Sequence, residues 1–262
     1  MELLPGAEPF RLDAGPRRLL LLHGFGSTPF ELRYLAEKLQ EDGYGSVCPL
    51  LPGHGTTLAH FARSRAAEWL ATARQALTRL AREAPDGRVA VIGQSLGALL
   101  GLQLAAELPA AIAALVCLAT PLEFTPLSAA AVRAYRYTPL RLLELTVPRP
   151  GGADIAEPRL RRGLPGYDQV PLAAATQLFR LQQQTLRALP RVRCPLLALH
   201  GGQDHSAPFS GVERLLREVG SPTKRVEVLA DSFHVVSLDV DKNRVAALIR
   251  DFLGDHHPPG AT

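Results

Sequence analysis

The sequence predicts an α/β domain: a mostly parallel central sheet flanked by helices on both faces, with a helical insertion in its second half. Three observations predict it. Short apolar runs alternate with segments of helical period; the runs are apolar at consecutive positions, as in strands buried on both faces; and the alternation stops at Pro121 and resumes after Arg193. A chain of 262 residues is long enough to bury about 75% of its unfolded surface around one large core.

The elements follow in order. Arg17–His23 (RRLLLLH) reads as a buried strand that ends at Gly24. Pro29 opens a helix with Phe30, Leu32, Leu35 and Leu39 on one face, and Gly43 closes it. A strand over Tyr44–Leu50 leads into the turn Pro52–Gly55 (PGHG). Trp69, Ala73, Ala76, Leu77 and Leu80 then mark a helix from about Arg65 to Glu83, stopped by Pro85. Arg88–Gly93 is the next strand, Leu96–Leu108 a helix and Ile112–Ala119 a strand. Between Pro121 and Arg193 no strand signal occurs; helix-like pieces span Leu127–Leu145 and Leu172–Leu189, with an arginine-rich stretch at Arg159–Arg162. Strand pattern returns at Pro195–His200, followed by a helix over Pro208–Val219, a strand at Arg225–Leu229 and a closing amphipathic helix over Asp239–Leu253. Pro258, Pro259 and Gly260 mark a frayed tail. The domain organisation expected is a core of residues 1–120 and 194–262 carrying an inserted helical cap, 121–193.

Composition excludes several functions. Hydrophobic residues make up 47% and charged residues 21%, values of an ordinary folded domain. The net charge is +4, but the basic residues are scattered and no basic cluster interleaves with aromatics, so nucleic acid is not an expected partner. Cys48, Cys117 and Cys194 are far apart, each in or beside an apolar run; they read as buried free thiols, without a disulfide framework or a zinc pattern. Leu96–Ala119 is nearly all apolar, yet Gln103, Glu107 and Pro109 interrupt it, which makes it two buried elements and not a membrane span. The first residues, MELLPGAEPFRLDAG, lack the basic start and apolar stretch of a signal peptide, and the cytoplasm is the expected location.

Chemistry concentrates in Gly93–Gly97 (GQSLG), a G-x-S-x-G motif between a strand and a helix. In such a turn the serine takes a strained backbone conformation that projects its Oγ above the carboxyl end of the sheet. The residues two before and two after must be small because strand and helix pass too close for a Cβ. A serine hydroxyl needs a base to take its proton and an acid to orient that base, met here in the order Ser95, Asp204, His234. Asp204 lies in HGGQDHSAP after the strand at Pro195–His200, and His234 lies in DSFHVVSLD after the strand at Arg225–Leu229. His205 is next to Asp204 and poorly placed to be oriented by it; His200 ends a strand and supports the turn; Asp231 and Asp239 are too near His234 in sequence. His54, His60, His256 and His257 read as loop or tail residues. Attack on a carbonyl creates an oxyanion, for which the backbone N–H groups of Leu96 and of Phe25, in the loop His23–Gly26 (HGFG), are the expected donors.

HGFGSTPFELR, PLLPGHG, GQSLG, the HGGQD loop and DSFHVVSLD together resemble the α/β-hydrolase family, and within it the small bacterial carboxylesterases and monoacylglycerol lipases. The likeness runs from about Leu19 to Leu253 and is weakest in the insertion. It implies an α/β-hydrolase fold, a triad of Ser95, Asp204 and His234, an oxyanion hole at Phe25 and Leu96, a cap over the acyl pocket, and no cofactor or metal. The expected activity is hydrolysis of carboxylic esters of short to medium acyl chains, monoacylglycerols among the candidates, with a small-molecule ester as the partner. Leu122, Phe124, Leu127, Leu142, Leu143 and Phe179 are the apolar residues expected to line the acyl site. Two features depart from the pattern: Ala207-Pro208 replaces the Val-Pro often found after the acid, and no acidic residue aligns for glycerol recognition. A peptidase, amidase or acyltransferase would use the same machinery. The alternative of another class, a non-catalytic binding protein on this fold, is disfavoured by the presence of all three triad residues.

Overall fold

The computed structural model describes residues 2–149 and 152–258. Strand β1 (Phe10–Leu12) precedes β2 (Arg17–Leu22), α1 (Phe30–Glu41), β3 (Tyr44–Cys48), α2 (Leu58–Arg63) and α3 (Ala66–Glu83). The centre of the chain forms β4 (Val89–Gln94), α4 (Leu96–Glu107) and β5 (Ile112–Leu118). Next come α5 (Pro126–Tyr137), β6 (Thr146–Pro148), α6 (Pro158–Gly163), β7 (Gln169–Pro171) and α7 (Leu172–Ala188). The last elements are β8 (Leu196–Gly201), α8 (Ser210–Glu218), β9 (Lys224–Leu229) and α9 (Lys242–His256).

Seven strands form one sheet in the order β1-β3-β2-β4-β5-β8-β9, parallel except for β1, which pairs antiparallel with β3 at the edge. Consecutive apolar residues are required here because successive side chains point to opposite faces and both faces are covered. Leu20, Leu22, Val89, Val91, Leu115 and Cys117 face the core under α3, α4 and α7. Leu19, Leu21, Ala90, Ile92, Ala114 and Val116 face the opposite core under α1 and α9. The register Leu21↔Ile92↔Val116 continues this alternation across neighbouring strands.

The structure departs from the sequence reading in several places: helices α2 and α6 are additions, and the helix-like piece over Leu127–Leu145 stops at Tyr137, ahead of Pro139. Strand β1 is an addition, too short to show a period. The segment read as free of strands contains one pair: β6 and β7 are antiparallel, Thr146 opposite Pro171 and Pro148 opposite Gln169. Three residues each, with a proline at one end, leave no alternation to detect. The closing helix begins at Lys242 because Asp239 spends its carboxylate on loop amides, among them the N–H of Val240. His256 belongs to α9, and His257 is buried beside Tyr44 instead of lying in a tail. Pro259 and Gly260 of the expected frayed tail lie outside the described residues.

Segment 121–193 plays two parts. Helix α7 packs on α4, burying Ala174, Leu178 and Leu181 in the core, with Gln103 Nε2 donating to Thr185 Oγ1 and Gln182 Nε2 to the Leu122 carbonyl. Residues between β6 and β7 instead reach over the carboxyl end of the sheet. Their base is closed where the Arg149 N–H donates to the Asp168 carbonyl at 2.8 Å. No helix among the described residues is long and apolar enough to cross a membrane.

Candidate active site

The turn from β4 into α4 puts Ser95 at φ 53°, ψ −110°, a left-handed conformation that a serine adopts only at a cost of order 1–3 kcal/mol. Its flanking glycines permit it. A Cβ on Gly97 would lie 1.8 Å from the Leu22 carbonyl oxygen, and one on Gly93 would lie 2.2 Å from the Gly97 carbonyl carbon. Helix and strands meet where no side chain fits, and the hydroxyl is pushed into a cleft above β4.

Ser95 Oγ is 2.9 Å from His234 Nε2, and His234 Nδ1 is 2.8 Å from Asp204 Oδ2. A proton on Nδ1, donated to the carboxylate, leaves the Nε2 lone pair to accept from the serine. Asp204 Oδ1 accepts the backbone N–H groups of Ser206 and Ala207, so the carboxylate is fixed by its own loop and Oδ2 is left for the imidazole. Burial opposes charge on both groups. For His234 the charge and hydrogen bond of Asp204 more than offset it and raise the pKa above 6.5; for Asp204 the same partner holds the pKa below the usual carboxylate range. Ser95 and His234 are buried, at 8% and 7% exposure, yet both line a cleft that is open to solvent.

The loop His23–Gly26 lies against the serine: a Cβ on Gly24 would sit 3.6 Å from Ser95 Cβ. His23 braces it, with Nδ1 donating to the Gly24 carbonyl and Nε2 accepting the Leu51 N–H; burial lowers its pKa to about 4, so the ring is neutral. The N–H of Leu96, at the first position of α4, has no acceptor within the helix. Among the described residues no turn or loop bond engages the N–H of Leu96 or of Phe25.

The competing residues have other work. His200 Nε2 is 3.1 Å from the Ala207 carbonyl and 3.4 Å from Asp204 Oδ2, supporting the acid loop. His205 pairs with Asp154. Asp239 binds backbone N–H groups of Phe233, Ala156 and Val240, joining the His234 loop to the overlying segment. Asp231 is exposed. His54, read as a loop residue, is buried among Phe25, Phe61 and Trp69 beneath the loop that holds Phe25. His60 bonds to the Thr56 hydroxyl.

The apolar lining expected from the insertion is not where the cleft is. Leu122 belongs to the core, Phe124 stacks on Phe179, Leu127 and Leu142 are about 80% exposed and Leu143 is exposed. None of the six lines the cleft; Arg149, Arg161, Arg162, Leu164 and Tyr167 do. Helical spacing shows that a segment has an apolar face and leaves open what that face meets.

Two residues went unread in the sequence. Gln94, the variable residue before Ser95, donates from Nε2 to the His234 carbonyl at 2.8 Å and fixes the base's loop. Glu31 is buried in the first turn of α1, accepting the Gly24 N–H and the Ser27 hydroxyl. Nothing local in the sequence distinguishes a buried glutamate there from one serving the helix dipole.

Comparison with known proteins agrees with this architecture. The chain is 31% identical over 257 residues to the thermostable monoacylglycerol lipase of Bacillus sp. (strain H-257), covering 97% of each. It is 21% identical over 246 residues to a carboxylesterase of Bacillus subtilis (strain 168), covering 94% of this chain and 96% of that one. Among solved structures, one from the metagenome-derived lipolytic enzymes LipS and LipT superposes with a TM-score of 0.88 at 30% identity, covering 97% of this chain and 100% of that one. The monoacylglycerol lipase of Paleococcus ferrophilus shares the fold with a TM-score of 0.77 at 21% identity, covering 98% of this chain and 100% of that one. Residues 19–248 match the model of the alpha/beta hydrolase family, and the chain belongs to that family.

Proposed function

We propose that this protein is a serine esterase that hydrolyses carboxylic esters through an acyl-enzyme on Ser95. The observation that carries this reading is the relay of two hydrogen bonds, Ser95 Oγ to His234 Nε2 at 2.9 Å and His234 Nδ1 to Asp204 Oδ2 at 2.8 Å. Similarity to proteins named as a monoacylglycerol lipase and a carboxylesterase supports ester over amide.

In this mechanism His234 Nε2 takes the Ser95 proton as Oγ bonds to the ester carbonyl carbon. The carbonyl electrons move onto oxygen, the Phe25 and Leu96 N–H groups donate hydrogen bonds to that oxyanion, and Asp204 stabilises the imidazolium. Collapse breaks the bond to the alcohol oxygen, which leaves with the proton from His234. Water then enters, gives a proton to His234 and attacks the acyl carbon; the bond to Oγ breaks, His234 returns the proton to Ser95, and the acid leaves.

Ser95→Ala tests the proposal. Turnover of p-nitrophenyl acetate is expected to fall by about 10⁴-fold or more, and covalent labelling by a fluorophosphonate to vanish. Hydrolysis persisting near the wild-type rate in the folded variant ends this reading.

A further inference from the structure

Three arginines line the cleft that holds Ser95 and His234: Arg149, Arg161 and Arg162, all from the stretch between β6 and β7. Among the described residues no carboxylate forms an ion pair with any of the three. Arg149 is half-buried. Its charge is felt by His234, and the carboxylates whose charges reach it are Glu31 and Asp154. Both are engaged elsewhere, Glu31 by the Gly24 N–H and the Ser27 hydroxyl, Asp154 by the His205 N–H and ring and the Ser206 hydroxyl. Asp168 also lines the cleft, but it is exposed and pairs with none of the arginines.

An arginine cannot shed its charge, and burying it without an acceptor is costly. Burial does press on Arg149, lowering its proton affinity. The backbone that carries it is nevertheless held in place. The Gly152 N–H donates to the Arg149 carbonyl, the Ala153 N–H to the Arg161 carbonyl, and Arg161 Nε to the Ile155 carbonyl. The Val235 N–H donates to the Asp154 carbonyl at 3.1 Å, tying the arginine-bearing segment to the residue after His234. The backbone that carries the three arginines is thus fixed relative to the loop of His234, and all three line the cleft beside it.

We infer that Arg149, assisted by Arg161 and Arg162, is an anion-recognising subsite, and that the preferred substrate is a carboxylic ester bearing a second, negatively charged group, carboxylate or phosphate, close to the scissile bond. This inference rests on the esterase reading. It names a specificity that an apolar acyl pocket would reject, because a charged chain end loses its hydration there, whereas here guanidinium donors replace it.

The test is a set of size-matched pairs that differ in charge, assayed by pH-stat on the intact protein. Monoethyl glutarate against ethyl pentanoate places a carboxylate on the acyl side; 2-acetoxyethyl phosphate against butyl acetate places a phosphate on the alcohol side. The charged member of at least one pair is expected to show kcat/KM higher by about tenfold or more at low salt, an advantage that shrinks as salt rises. Arg149→Met is expected to cut that charged-to-neutral ratio by about tenfold or more, and Arg149→Lys to restore part of it. The wild-type comparison stands even where a variant fails to fold. Preference for the neutral ester in both pairs, or a charged preference that survives Arg149→Met, overturns the subsite and leaves the esterase standing. No hydrolysis of either member of either pair overturns both.

Discussion

In the proposed mechanism His234 has to be neutral at Nε2 to take the Ser95 proton, and its surroundings decide the pH at which that holds. Burial disfavours the imidazolium, but the facing Asp204 carboxylate prevails and lifts the pKa above 6.5. Lowering the pH through that raised value protonates the base, so the acid limb of kcat/KM is expected above pH 6.5. Asp204→Asn removes the charge that raises it; the limb is expected to move to lower pH while kcat falls by about 10⁴-fold. An acid limb that stays put in the folded variant would assign it to another group. On stability the two members of the pair act in opposite senses. The raised His234 pKa contributes stability that is full below pH 6.5 and is lost as pH rises through it; the depressed Asp204 pKa contributes above pH 3.8 and is lost as pH falls through its lowered value. These residues were legible in the sequence because each sits in a loop directly after a strand, in an order set by topology. Arg149 was not. Its role comes from the absence of a partner, which no local pattern carries.

Elements supply the rigidity this chemistry needs. The contact of α4 with β2 leaves no room at Gly97, where a Cβ would meet the Leu22 carbonyl at 1.8 Å. Gly97→Ala is expected to cost about 3 kcal/mol or more in urea unfolding, an overpacking penalty with backbone on the other side. A loss below 1 kcal/mol would mean that the helix can retreat without harm. Strands β2, β4, β5 and β8 were readable because consecutive leucines, valines and alanines have one physical use, a sheet covered on both faces. The β6–β7 pair was not, since its three-residue strands rest on distant pairing that prolines conceal. The apolar face of α5 was misassigned for a related reason. Leu127 stands 81% exposed, and exposure is decided by what the rest of the chain brings near.

At the scale of the molecule, two cores on opposite faces of a single sheet bind most of the chain into one unit. Cys48 lies in one core and Cys117 in the other, both fully buried, with their thiol pKa values pushed up by burial. Both thiols are expected to react with a disulfide reagent at one common rate, equal to the rate of global unfolding, checked by stopped reaction and mass mapping in mild denaturant. Faster labelling of either would show that one face opens alone. The position of the reactive loops at the carboxyl ends of β2, β4, β8 and β9 follows from parallel topology, and so the location of the site was readable before its detail.

The pinned base of the excursion between β6 and β7 has an evolutionary consequence. On the proposed function, insertions, deletions or wholesale replacement there would rewrite which compounds are admitted without disturbing Ser95 or the sheet beneath. Descendants of one scaffold could diversify their diets by trading that single flap.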